Sequence, residues 1–191
     1  MAAKKCLNFE IDYFVDIARQ IAYKRFIHKK YWNVVLHAVA SVLVVWSAFF
    51  ISSCFLPYFL CHLNLIFILV LCIVQDVHAG LASLLVYPVL YYHALYVTDA
   101  TFLQVVSLAI LIYIIQNFVG QQWIECVDQI TQNTIKSVDP NFLAADLYNE
   151  VFLSFYHNMI TLLIRMDFRM DLHDRSNVAL RQVLDRMKKT P

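Results

Sequence analysis

Between Asn33 and Val119 the chain carries no lysine or arginine, and its only acids are Asp76 and Asp99. Those two aspartates cut the block into pieces of membrane-spanning length, since about 20 apolar residues cross a bilayer core as a helix. A soluble helix this apolar on every face would need a far larger protein around it. The block therefore predicts an all-α, multi-pass transmembrane bundle. A mean hydropathy of +0.60 agrees with that class.

Four spans are expected: Val34 to Leu56, ended by Pro57; Tyr58 to Val74; His78 to Val97, with Pro88 as a tolerated kink; and Phe102 to Val119. The first turn is short enough to make a tight hairpin of spans one and two. Thr98 or Asp99 is the expected N-cap of the fourth span, and a polar helix is expected to continue it to Gln132. Residues 8–30 read as an amphipathic helix with Asn8 as N-cap, Glu10 and Asp12 in the first turn, and Lys24, Arg25, Lys29 and Lys30 at the end that the helix dipole favours for cations. Its stripe of Phe14, Ile17 and Ile21 can lie among headgroups or dock on the bundle, and docking is the expectation. Phe142 to Ile164 carries Asp146, Glu150 and His157 on a mostly apolar helix, and is expected to be interfacial or bundle-docked rather than a fifth crossing. The organisation is then residues 1–33, an N-terminal helix; 34–119, the bundle; 120–164, a polar extension with an interfacial helix; and 165–191, a charged tail.

All 15 basic residues precede residue 31 or begin at Lys136. Four crossings return the chain to its starting side, and the tendency of cationic segments to stay inside places both ends on the cytoplasmic or matrix face. A net charge of +1 argues against a nucleic-acid partner. Five cysteines without a C-x-x-C pair predict neither a disulfide framework nor a cysteine metal site.

Ionisable and strongly polar groups at membrane depth are costly and so are candidate functional residues. They are His28, His37, His62, His78, His93, Asp76, Asp99, Gln121 and Glu125. Each isolated histidine is more simply explained by a hydrogen bond within the bundle or at its interface. His28 and His37, nine apart, would face opposite sides of one continuous helix. They can meet only if the helix breaks between them, and the expected break is near Tyr31 to Asn33. Gln121 and Glu125 share a helix face.

Two stretches, Tyr23-Lys24-x-x-x-His28 running through Asn33-Val34-Val35-Leu36-His37, and Gln116-Asn117-Phe118-Val119-Gly120-Gln121-x-x-x-Glu125, resemble the membrane 2-hydroxy fatty acid dioxygenase family. Members of that family shorten 2-hydroxy acyl chains by one carbon with ferrous iron and oxygen. The similarity covers roughly residues 20 to 165. It implies His28, His37 and Glu125 as iron ligands, Asn33 as a supporting or helix-capping residue, and Lys29 or Lys30 beside the substrate carboxylate. The departures weigh against activity. Lys29 stands where the family pairs its histidines, Tyr31 replaces its proline, and Gln121 replaces the histidine after the late glycine. A two-His, one-carboxylate set can hold ferrous iron, yet a neutral amide and a neighbouring ammonium both weaken such a site. The expectation is a non-catalytic accessory subunit of a larger membrane complex, with no cofactor, in contact with membrane lipids and other subunits. The mitochondrial inner membrane is the expected host, ahead of the endoplasmic reticulum. Two alternatives stay open: an Fe(II)-dependent dioxygenase, and a lipid-binding module that keeps an acyl groove without metal.

Overall fold

A computed structural model describes residues 15–125 and 147–189; within its helices, the side chains of residues 23, 26, 27, 121 and 183–189 lie outside the description. Every described element is helical. α1 is Ile17–Ile27, α2 Tyr31–Phe55, α3 Tyr58–Gln75, and α4 Val77–Tyr92 with a π-wound continuation His93–Val97. α5 is Phe102–Ile115, continued in π winding by Gln116–Ile124. α6 opens with a π-wound turn, Asn149–Leu153, and runs on as Ser154–Arg165; α7 is Met170–Lys189.

Four of these helices are long and apolar enough to cross a bilayer: α2, α3, α4 with its continuation, and α5 with its own. The chain is an integral membrane protein built as a helical bundle. Aromatic side chains are exposed along it, Phe67 and Tyr113 at mid-span among them, and several stand at its two ends. Tyr31, Trp32 and Trp123 lie at one end, and Phe55, Tyr58, Tyr96 and Phe102 at the other. Trp32 and Phe55 are separated by about 35 Å along α2 at 1.5 Å per residue, close to the thickness of a hydrocarbon core with its interfacial aromatic belts.

α2 is the hub, touching α3, α4, α5 and α6. The expected tight hairpin of the first two spans is not what forms. α2 and α3 diverge after their short turn, and the close pair is α3 with α4. Gly80 explains the difference, because a Cβ there would lie 2.5 Å from the Ile73 Cα and only a bare glycine lets the two backbones approach. α5 packs on α2 and on no other helix to a comparable extent. Its N-cap is Thr101, in a capping box with Gln104, rather than Thr98 or Asp99; the Thr–x–x–Gln spacing satisfies two helix-end donors reciprocally.

The break between α1 and α2 falls at His28 to Lys30, just ahead of the expected position. Asp16 caps α1 by accepting the Ala18 N–H at 3.0 Å; the Asn8 cap, with Glu10, Asp12 and Phe14, lies outside the described residues. Of the expected stripe, Ile17 and Ile21 are fully buried, and α1 docks against α6 and α7 instead of facing headgroups. The expected polar helix to Gln132 is described only as far as Ile124, and Asp146 likewise falls outside.

α6 docks along the bundle. Arg165 donates to the carbonyls of His28 and Lys29 at 2.8 and 2.9 Å, and Asn158 to the His37 carbonyl at 3.3 Å. Further in, the Tyr156 hydroxyl donates to the Cys72 carbonyl, the Tyr87 hydroxyl to the Phe152 carbonyl, and the Tyr148 hydroxyl to Asn64 Oδ1. The helix thus descends antiparallel to α2 from the His28 end to the level of Asn64. Its last turn closes in a Schellman arrangement, with Phe168 N–H bonded to the Leu163 carbonyl and Asp167 at φ 61° in the glycine position. Arg169, also left-handed at φ 59°, then grips Asp76 through two bonds of 2.7 Å each. That clamp ties the start of the charged tail to the α3–α4 turn.

Candidate functional site

Three elements bring the expected site residues together at one end of α2. The His28–Lys30 turn supplies the first histidine, the first two turns of α2 supply Asn33 and His37, and the π-wound end of α5 supplies Gly120 and Glu125. Asn33 is completely buried at the centre. Its amide nitrogen donates to His28 Nδ1 at 3.0 Å and to Glu125 Oε1 at 3.1 Å. The same Glu125 oxygen accepts the Lys30 main-chain N–H at 2.8 Å. The rings of His28 and His37 lie 4.2 Å apart, tilted by 32°. A helix break was the condition for this meeting, and it is satisfied.

π winding sets where α5 presents its end. The Glu125 N–H reaches back five residues to the Gly120 carbonyl at 3.0 Å, so Gly120 and Glu125 both meet α2, where ordinary α winding would rotate one of them away. Gly120 is required by contact. A Cβ there would lie 2.6 Å from Asn33 Oδ1 and 3.2 Å from His37 Nε2. Asn33 Oδ1 accepts no hydrogen bond among the described residues; it rests against the glycine Cα instead.

These residues do not, as placed, fit an iron ion. Imidazoles that share a metal converge on it through ring nitrogens, whereas here the two rings pack against each other, 4.2 Å apart and tilted by 32°, and His28 Nδ1 is bonded to the Asn33 amide. The Glu125 oxygen that faces the cluster is already occupied by two N–H donors, and the space between α2 and α5 is filled by Gly120. Among the described residues no group of three His, Cys, Asp or Glu side chains is arranged to hold a metal ion. Gln121 sits on the π-wound segment with its side chain outside the description. Lys29 and Lys30 are both exposed; Lys30 meets the cluster through its main chain only.

A second polar layer lies between α1 and α6, and reading the sequence missed it. Gln20, Lys24 and His28, spaced by four, put three polar groups on the buried face of α1. Lys24 Nζ contacts both oxygens of Glu150 at 2.6 and 2.7 Å, and Gln20 accepts from Asn149 at 3.1 Å. His157, fully buried, is bonded through Nε2 to Gln75 Oε1 at 3.1 Å. Burial above all, then the Lys24 ammonium, holds His157 well below the ordinary histidine range. The i, i+4 run on α1 was the available signal. Lys24 is expected to be exposed by type, and only its acidic partner, 126 positions away in sequence, explains its burial.

His62 and His93 behave as expected of isolated histidines. His62 Nδ1 contacts the Tyr58 carbonyl at 2.6 Å, and His93 Nδ1 accepts from Trp46 at 3.0 Å. Comparison with protein-family models, with curated proteins and with solved structures finds no match to this chain.

Proposed function

We propose that this protein is a non-catalytic accessory subunit of a larger membrane assembly, built on a scaffold resembling that of the 2-hydroxy fatty acid dioxygenases. The observation that carries the reading is the position of Asn33: it bridges His28 Nδ1 to Glu125 Oε1, so one atom of each of these candidate ligands is engaged in joining the α1–α2 turn, α2 and α5. A ligand set poised for chemistry would leave its carboxylate oxygens open to an ion. Among the described residues α5 packs mainly on α2, and its other flank supports a partner helix beside it. On this reading both chain ends face the cytoplasm or matrix, and the mitochondrial inner membrane is favoured over the endoplasmic reticulum as host.

The test is gentle extraction of the tagged full-length chain from its native membrane, followed by native electrophoresis. Comigration with a high-mass complex at fixed stoichiometry is expected. Migration of the chain as a monomer under conditions that keep other complexes intact would overturn the proposal. The proximity of His28 and His37 is what keeps iron-dependent oxidation of 2-hydroxy acids as the second reading, and bound iron is the measurement that separates the two.

A further inference from the structure

We infer that the turn joining α1 to α2 is a binding site for the headgroup of an anionic phospholipid. Lys29 and Lys30, both exposed, occupy this turn at one end of the bundle. They are followed directly by Tyr31 and Trp32, whose rings meet edge to face at 5.5 Å. Trp32 is 71% exposed, and Trp123 on α5 is 77% exposed. Exposed indoles beside lysines are suited to the boundary where acyl chains give way to phosphates, with the ring among the glycerol esters and the ammonium at the phosphate. Among the described residues no carboxylate lies within ion-pair distance of the Lys30 ammonium.

The turn is also held rigid, and by main-chain atoms. Its Lys29 carbonyl accepts from Arg165 at 2.9 Å, and its Lys30 N–H donates to Glu125 at 2.8 Å. These main-chain bonds fix where the two lysine side chains emerge. Arg165 adds a third positive charge behind them. A preorganised cationic site flanked by membrane-level aromatics selects a lipid phosphate over a soluble anion, because a soluble anion gains nothing from the indoles. This inference is independent of whether the histidine cluster binds metal.

The test uses the purified full-length chain in nanodiscs of phosphatidylcholine containing a minor fraction of a phospholipid brominated near its glycerol ester, with either a phosphatidylglycerol or a phosphatidylcholine head. Bromine quenches nearby indoles, and Trp46→Phe removes the interior tryptophan from the signal. The expected result is stronger quenching by the anionic lipid. The preference should fall about fivefold for Lys30→Gln and about thirtyfold for Lys29→Gln with Lys30→Gln, and should fade in high salt. Both glutamines keep the main-chain bonds, and an unchanged melting temperature verifies that the fold is retained. Equal quenching by the two lipids, or a preference that survives the double substitution, would overturn the inference. So would displacement of the lipid by millimolar inorganic phosphate, which would identify a plain anion site.

Discussion

At the scale of single residues, the chain places its scarcest types where backbones must touch. It has only two glycines, one letting α3 meet α4 and the other letting α5 meet Asn33 and His37. Gly120→Ala forces a methyl group against a buried amide and an imidazole, and an overpacked contact of this kind costs about 1–3 kcal/mol. Asn33→Ala leaves His28 Nδ1 and one Glu125 bond unmade, for a loss of about 2–3 kcal/mol. Thermal unfolding in detergent measures both, and the double variant should lose less than the sum because the two share one contact. His157 gives a pH signature. Its native pKa lies below the unfolded value, so its contribution is complete above about pH 6.5 and is lost as the pH falls below that, at up to about 1.4 kcal/mol per unit. A melting series from pH 8 to pH 5 should show this decline, and His157→Gln should flatten it. The residue scale was partly legible in the sequence. Asn33, His28, His37 and Glu125 could be singled out by resemblance and by cost at membrane depth, but that Asn33 sits between the others depends on π winding in α5, which no local pattern announces.

At the scale of elements, the apolar block announced α2 to α5 nearly to their ends, because hydropathy integrates over a whole span and Pro57, Asp76 and Thr101 punctuate it. Which helix would neighbour which was not legible. A short turn promised a pair of α2 and α3, yet α6, whose buried residues mix polar with apolar side chains, takes the place along α2. Its Asn149, Ser154, His157, Asn158 and Thr161 are buried, the reverse of a solvent-facing polar stripe, and hydropathy alone cannot tell the two apart. The Lys24–Glu150 pair between α1 and α6 yields an order of effects. Glu150→Gln strands a buried ammonium and costs about 2 kcal/mol, after allowance for the partial exposure of the carboxylate, whereas Lys24→Met removes the buried charge itself and costs less. Chemical unfolding of the two variants checks the ranking. The Arg169 clamp fastens α7 to the bundle. The Arg169 guanidinium, ahead of the Ala79 N–H, holds Asp76 below the usual carboxylate range, so the clamp is intact at neutral pH and is released only as the pH falls through that lowered value. Arg169→Ala should free the tail at neutral pH, seen as faster limited proteolysis between α6 and α7 with the spans still protected.

At the scale of the whole molecule, four helices of membrane-spanning length and one end crowded with hydrogen-bonded polar groups make a bundle whose chemistry is concentrated where α1, α2, α5 and α6 converge. That convergence was expected as a site, and the hydrogen bonds found there join the helices to one another. Its imidazoles pack 4.2 Å apart, Glu125 Oε1 accepts two N–H groups, and Gly120 lets the helices approach too closely for a Cβ. The central claim is that the cluster holds helices together instead of holding iron. The most direct measurement is the iron content of the full-length chain, extracted gently from its native membrane and compared with His37→Ala. The account predicts no stoichiometric iron in either protein. About one iron per chain, lost in the variant, would contradict it and make the cluster a metal centre.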